Sequence, residues 1–328
     1  MSIYHLLRRC NKSSIEDGTE AHPFLIKDVF DFIEFKNELI AGNTFNGIHH
    51  KVTNDLDFTG ITIPTGINTV YSGTFNGNFK TFKNITSSMS SSGTDFPSVF
   101  ARIDGGIVEN LRFANVNITF TNSNNCSGIF GTITNGIVRK VSIEGNFSFP
   151  LRRGSAFGAL QSPNSLIENC SYMGTMNKVG GYGVAGISAS YEGFNPPYGI
   201  CSKCINQGTV DAGNDTAKGI ASFVNTVIDC VNIGNITGTY GSGSQTKRIQ
   251  YGALNTINCY SLDTALINGA IPTTEIGQNQ NNGANATELQ LKSTAFYRDV
   301  LGWDMDTVWE IETEGVTFPR LRGFNYNF

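Results

Sequence analysis

The sequence has few charged residues and no long apolar run. Charged side chains make up 15% of its 328 residues, against roughly 25% in an average globular protein. Lysine and arginine form no basic tract, so the chain lacks the electrostatic footprint of a nucleic-acid-binding protein. No stretch of about 18 apolar residues occurs, which argues against a transmembrane helix.

Export and disulfide signals are also missing. Residues 1–10 (MSIYHLLRRC) contain two arginines but no apolar core region and no small-residue cleavage site, so we expect no secretory signal. The seven cysteines are an odd number. We expect most of them to pack as small hydrophobic side chains.

Glycine and small polar residues are abundant instead. The chain contains 37 glycines and 23 phenylalanines, and 39% of it is hydrophobic. A net charge of −4 with this much apolar material does not fit a disordered chain. The shortage of alanine, leucine, glutamate and lysine also argues against a coiled coil. We therefore expect a turn-rich globular protein.

A pattern recurs through the chain at a period of roughly 29 residues. Segments such as VENLRF from Val108, VRKVSI from Val138 and VIDCVN from Val227 align with one another. The aligned column that we expect to face the interior continues from Leu56 and Ile85 through Leu111, Val141, Cys170, Cys204, Cys230 and Cys259.

Neighbouring positions indicate corners. The position before the main column holds Asn110, Asn169 and Asn258, where we expect the strand to bend. Four positions after the column a glycine recurs, as expected for a turn that needs unusual backbone angles; these glycines are Gly145, Gly174, Gly208 and Gly234.

Short strands at a fixed period without intervening helices predict an all-β, single-domain parallel β-helix of about eight rungs. Residues 28–41 predict an N-terminal capping helix, with Asp28 as its N-cap and Gly42 as its stop. A capping box at Thr287 predicts a second helix to about Asp299, followed by a hairpin closing the last rung. The expected divisions are an attachment segment 1–20, an N-terminal cap 21–50, solenoid repeats 51–276 and a C-terminal cap 277–328.

Several segments resemble the GLUG-repeat β-helix proteins, which occur in bacterial surface adhesins and in the N-terminal regions of some immunoglobulin-A-cleaving peptidases. DGTEAHPFLIKDVFDFIEF from Asp17 is similar to the segment that opens such arrays, and SGIFGTITNGIVRKVSIEG from Ser127 resembles the repeat itself. The stretch from Trp303 to Leu321 resembles the segment that closes them. The resemblance implies the fold and leaves the function open.

Candidate chemical sites are few. Cys201 and Cys204 form a lone CxxC without a second pair, so we expect no metal and no cofactor. We expect His49 and His50 to be surface residues. Glu109 and Glu168 would lie two rungs apart with Arg139 between them, which favours an ion-pair ladder over a catalytic pair. We therefore expect no catalytic residue.

Two segments are candidates for binding. The longest interruption between repeats, 180–197, carries exposed aromatic candidates suited to sugar rings or partner pockets. The candidate binding residues are Tyr182, Tyr191, Phe194 and Tyr198. The N-terminal segment is the candidate attachment site, through Tyr4, Leu6, Leu7, Arg8 and Arg9.

These features favour a non-catalytic bacteriophage virion component, either a tail fibre, a tailspike or a head fibre. It would be made in the host cytoplasm, join other virion proteins through its N-terminal segment, and engage a host surface glycan or protein, as a homo-oligomer. We expect neither nucleic acid nor membrane insertion. The alternatives are a tailspike-type polysaccharide depolymerase, acting as a glycoside hydrolase or polysaccharide lyase, and an adhesin domain on the bacterial cell surface.

Overall fold

The structure, a computed structural model, describes residues 16–64, 69–90, 97–121, 128–149, 153–178, 183–190, 198–240 and 245–327. It is a single-domain parallel β-solenoid of about seven turns, which confirms the predicted fold. The first half of its strands are β1 (Phe24–Ile26), β2 (His49–Val52), β3 (Leu56–Asp57), β4 (Val70–Tyr71), β5 (Thr74–Lys83), β6 (Thr86–Ser90), β7 (Phe100–Asp104), β8 (Ile107–Thr121), β9 (Phe130–Thr134), β10 (Ile137–Phe149), β11 (Gly154–Ser155), β12 (Ala159–Leu160), β13 (Leu166–Glu168), β14 (Ser171–Met173) and β15 (Thr175–Lys178).

The second half continues the stack with shorter strands. They are β16 (Val184–Ala185), β17 (Ser188–Ala189), β18 (Ile200–Ser202), β19 (Ile205–Asn206), β20 (Thr209–Asp211), β21 (Ala217–Lys218), β22 (Ala221–Ser222), β23 (Thr226–Ile228), β24 (Val231–Asn232), β25 (Ile236–Thr237), β26 (Gln250–Tyr251), β27 (Asn255–Ile257), β28 (Tyr260–Leu262), β29 (Ala284–Ala286), β30 (Trp309–Glu310) and β31 (Arg320–Leu321). Most of them belong to one large sheet in which each turn pairs in parallel with the next.

Each turn crosses the large sheet in three short segments separated by two corners. The first corner is the predicted asparagine position: φ is 54° at Asn110, 51° at Asn169 and 51° at Asn258. Asparagine adopts this left-handed conformation more readily than most residues. The second corner is the predicted glycine, because the turns stack too closely there for a side chain. A Cβ on Gly174 would lie 1.9 Å from the carbonyl oxygen of Gly145.

The main column faces the interior, as predicted. Its members have no accessible surface; they are Leu111, Val141, Cys170, Cys204, Cys230 and Cys259. Strand pairing places Val141 directly opposite Leu111, so the column is in register from Leu111 onward. The two residues predicted to begin it, Leu56 and Ile85, belong to other interior columns: Leu56 pairs with Phe82, which lies opposite Phe113. Thr86 pairs with Asn117, which places Ile85 opposite Val116. Burial of this column together with the other interior side chains stabilises the solenoid.

The N-terminal end is closed by helix α1 (Val29–Ile40), as predicted. The Asp28 side chain accepts hydrogen bonds from the backbone N–H groups of Phe30 and Asp31. Phe32 enters the open end of the solenoid, where its ring centroid lies 5.0 Å from that of Phe82. Lys36 of the same helix is fully buried, its ammonium donates to the carbonyl of Val99, and burial lowers its pKa to about 7.

The C-terminal end is closed by a loop held to a buried arginine. Arg248 has no accessible surface and donates to the Asn282 carbonyl at 3.1 Å and to Asn285 Oδ1 at 2.7 Å. Helix α2 (Glu288–Leu291) follows, with the predicted capping box between Thr287 and Gln290. It is shorter than predicted, because a separate π-helical turn covers Phe296–Val300.

The predicted hairpin is present as the antiparallel pair β30 and β31, but it does not close the last rung. Residues 303–327, here called the lateral strap, run back along the side of the solenoid. The indole N–H of Trp303 donates to the Asp229 carbonyl at 2.8 Å, and that of Trp309 to Asn169 Oδ1 at 3.0 Å. Further back, Arg112 Nη1 donates to the Asn325 carbonyl at 2.8 Å. The described part of the chain has no helix long and apolar enough to cross a membrane.

The strap lies over a column of outward-facing side chains on the large sheet and buries them. In this covered column the middle of each turn contributes one outward side chain, and all of them are at most 8% exposed. The members are Thr81, Arg112, Ser142, Ser171, Ile205, Val231 and Tyr260. The last three form one apolar cluster with Trp303 and Trp309 of the strap.

Candidate binding surface

A second part of the large sheet faces outward, and its outward side chains are exposed or half-buried among the described residues. It is formed by the third segment of six consecutive turns, in β6, the ends of β8 and β10, and β15, β20 and β25. Its outward side chains form two columns in register, here called the polar face. The first column is Thr86, Asn117, Asn146, Thr175, Thr209 and Asn235, and the second is Ser88, Thr119, Ser148, Asn177, Asp211 and Thr237.

A short local pattern builds this face. After the glycine corner the chain alternates polar, apolar and polar residues, as in Asn146-Phe147-Ser148. Successive side chains of a strand point to opposite sides, so Phe147 enters the core while its neighbours face solvent. Phe147 is 1% exposed, and the equivalent Met176, Val210 and Ile236 are fully buried.

The polar face carries almost no charge, and hydrogen bonds hold some of its side chains in place. Asp211 is the single charged side chain among its twelve members. Asn146 Nδ2 donates to Asn117 Oδ1 of the preceding turn at 3.1 Å, and Asn146 Oδ1 accepts from the backbone N–H of Thr175 at 3.1 Å. These bonds fix amide groups at the spacing of the turns, about 4.8 Å.

An open groove of about 490 Å³ adjoins the polar face at its N-terminal end. Its lining is Phe58, Thr59, Gly60, Ile61, Thr62, Asn84, Thr86 and Asn115, so it shares Thr86 with the face. At its edge Asp57 Oδ1 accepts from the Thr59 hydroxyl at 2.7 Å and from Asn84 Nδ2 at 2.9 Å. These bonds lower the pKa of the Asp57 carboxyl to about 2, so it is an anion at neutral pH.

Amides connect the groove wall to the next turn. Asn115 Nδ2 donates to Asn84 Oδ1 at 2.8 Å, and Asn117 Nδ2 donates to Asn115 Oδ1 at 3.4 Å. A chain of side-chain amides therefore leads from Asp57 onto the first column of the polar face. At the other end of the face residues 266–268 stack on β25: Ile267 forms a parallel bridge with Ile236, and the Leu266 N–H donates to Asn235 Oδ1 at 2.9 Å.

Of the four aromatic residues predicted to bind, only Tyr198 belongs to the described residues. Tyr182, Tyr191 and Phe194 lie outside the described residues, as do the attachment candidates Tyr4, Leu6, Leu7, Arg8 and Arg9. Tyr198 is described and packs partly against the main core. Burial raises the pKa of its hydroxyl.

The carboxylate ladder has the predicted register. Arg139 pairs directly with Glu109 in the preceding turn and with Glu168 in the following one. Its Nε donates to Glu109 Oε2 at 2.7 Å. Arg139 therefore lies in the turn between the two carboxylates and forms an ion pair with Glu109.

The cysteine column is chemically protected. Cys204, Cys230 and Cys259 are free thiols whose pKa values burial raises well above the usual value. Buried thiols of this kind are poor nucleophiles and poor metal ligands. Among the described residues no three histidine, cysteine, aspartate or glutamate side chains are grouped to hold a metal ion.

The expectation that both adjacent histidines lie on the surface was wrong for His50. Its side chain is buried in an aromatic cluster, 4.7 Å from Phe45 and 4.9 Å from Phe35 between ring centroids. Its Nδ1 lies 3.3 Å from the Tyr71 hydroxyl. Neighbours in a strand point to opposite sides, so one of the two had to enter the core.

Sequence reasoning did not identify the polar face, although a signal for it exists. The signal is the alternation of polar and apolar residues that follows each recurring glycine: NFS after Gly145, TMN after Gly174, TVD after Gly208 and NIT after Gly234. The two outer positions of each triplet are the members of the face.

Comparison with known proteins identifies the fold alone. No family model matches the chain, and no curated protein matches it. Among solved structures, it is similar to the crystal structure of a putative immunoglobulin A1 protease from Bacteroides ovatus, at 16% sequence identity. The similarity covers 93% of this chain and 94% of that one, with a TM-score of 0.67.

Proposed function

We propose that the chain is a non-catalytic structural and binding protein that engages a cell surface through its polar face. The observation that carries this proposal is the contrast between two outward parts of one sheet. The covered column is sealed by the lateral strap, while the polar face stays open over six turns of the described chain. Binding residues are commonly presented in this way, on a rigid scaffold.

The rest of the fold suits such a role. Helix α1 closes one end of the solenoid and the loop around Arg248 closes the other. Covered ends prevent stacking of terminal strands with other chains. The solenoid is then a stiff rod whose exposed side, rather than its ends, meets a partner.

The simplest test is binding of the purified protein to bacterial cells. A fluorescently labelled chain should adhere to cells of its host species, and an excess of unlabelled protein should displace it. Failure to bind any cell type that the source phage or bacterium encounters would contradict the proposal.

Within this function we propose the more specific role of a bacteriophage virion component, attached by its N-terminal segment and present as a homo-oligomer. Glu16 and Gly18 already belong to the first turn, since Glu16 Oε2 accepts from Leu25 N–H at 3.2 Å and Gly18 O from His49 N–H at 2.8 Å. Within the predicted attachment segment 1–20, we therefore assign the attachment role to the residues that precede Glu16. Deleting residues 1–15 should leave a folded solenoid that no longer joins particles; continued incorporation would contradict this role.

A further inference from the structure

We propose that the polar face and the adjoining groove bind an extended, uncharged polysaccharide whose chain lies along the solenoid axis. This inference rests on the proposed binding function and names the ligand class of that same surface.

The charge of the surface favours an uncharged ligand. Eleven of the twelve side chains of the polar face are neutral hydroxyls or amides, and the one charge, Asp211, is negative. The groove adds Asp57, which stays ionised at neutral pH and whose carboxylate lies 3.7 Å from the ammonium of Lys83. That pair adds no net charge, so the face and this ion pair together carry one net negative charge, which does not favour an anionic polymer.

The chemistry of the side chains matches that of sugar hydroxyls. A hydroxyl donates and accepts, and an amide offers both functions on one side chain, so each can pair with a sugar hydroxyl. The bonds of Asn146 to the turns on either side already orient its amide. A ligand that meets preoriented groups loses less entropy on binding.

The shape of the face favours alignment along the axis. Along the axis each column repeats the same kind of group at every turn, over a length of about 24 Å for five intervals of about 4.8 Å. Across the axis the face holds two residues per strand, a width of about 7 Å. Only a ligand that follows the columns can contact successive turns, and the groove beside Thr86 lies at the N-terminal end of that path.

A second copy of the chain is a poorer occupant. Cores of homodimer interfaces are about two-thirds apolar, whereas none of the twelve members of the polar face is apolar. Self-association through this face would appear in the test as a dimer.

The test is binding of the full chain to immobilised glycans that include uncharged hexose and N-acetylhexosamine polymers together with anionic uronate polymers. We expect retention on at least one uncharged polymer, unaffected by salt up to about 0.5 M because no ion pair is involved. Retention only on anionic polymers, on no polymer, or only through a dimer seen by light scattering would overturn the proposal.

A variant with Thr119→Val, Asn177→Ala and Thr209→Val removes three hydrogen-bonding groups from exposed positions of the face. If the ligand contacts them, affinity for the retained polymer should fall roughly 10- to 100-fold. The control is Ser202→Ala with Thr226→Val, on the outward side of the first segment of the turns, in β18 and β23, which the covered column separates from the polar face. Equal affinity of the face variant and the control would overturn the proposal.

The same two variants separate this inference from the proposed function. If both bind whole cells as well as the parent chain, the binding function stands and the polar face is not its site. If the parent binds a purified uncharged polymer but no cell, the face inference stands and the proposed function fails.

Discussion

The covered column and the polar face belong to the same sheet, repeat at the same period and lie only four or five residues apart in each turn. They differ in what lies over them. Ile205 of the covered column has no accessible surface, whereas Thr209 in the same turn is exposed. Position in the repeat therefore determines which way a side chain points, and the lateral strap determines whether an outward side chain is buried.

The covered column also changes along the axis to suit its cover. Where the strap brings Trp303 and Trp309, the column supplies Ile205, Val231 and Tyr260. Where the strap brings the backbone of Asn325, the column supplies Arg112. The polar face has no such change, because the solvent over it is the same at every turn.

The largest expected effect is that of Trp309→Ala in the strap. The substitution removes ring packing with Trp303, at 4.5 Å between centroids, and the hydrogen bond to Asn169. Truncation of a buried tryptophan should lower the free energy of unfolding by about 3–5 kcal/mol. Urea denaturation measures it, and a loss below about 1 kcal/mol would mean that the strap does not seal the column.

A smaller loss is expected for Arg112→Ala. The Arg112 side chain is 5% exposed, donates to both oxygens of Glu144 at 2.8 Å, and lies over the Tyr326 ring. Its removal should cost about 3 kcal/mol, because Glu144 loses its partner. Arg139→Ala is the control: that guanidinium is 41% exposed, and its loss should cost less than about 1 kcal/mol. Similar losses for the two would contradict the difference between covered and open positions.

A pH series tests the burial of Lys36 in helix α1, which covers the N-terminal end of the solenoid. Because burial lowers the pKa of Lys36 from 10.5 to about 7, the folded state binds fewer protons than the unfolded state between these values. Stability of the parent should therefore rise with pH from 7, relative to Lys36→Met, by about 2 kcal/mol at pH 9. Thermal unfolding of both proteins at the two pH values measures this. A constant difference would show that Lys36 is not buried beneath the helix.

The smallest effect is expected for Asn146→Ala on the polar face. It removes the bonds to Asn117 and to the Thr175 backbone, but water replaces them at an exposed position. The loss should be about 0.5–1 kcal/mol. A loss above about 2 kcal/mol, measured by urea denaturation, would indicate that the face is structural.

Features that repeat could be predicted from the sequence, and features that occur once could not. The interior column from Leu111 to Cys259 and the corner at Asn110 recur in every turn, so the period revealed them. The contact between Trp309 and Asn169 joins residues 140 positions apart and has no counterpart elsewhere in the repeat. The polar face does repeat, but neutral polar residues on a strand are equally typical of a merely solvated surface.

The central claim is that one outward column is sealed while its neighbour, four or five residues further on, is open. A single pair of variants tests it: Ile205→Lys and Thr209→Lys, compared by urea denaturation. A lysine at 205 would place an unpaired charge beneath the strap and should cost several kcal/mol, roughly 3 or more. At 209 the same side chain would extend into solvent, with a change within about 0.5 kcal/mol. Equal losses at the two positions would contradict the account.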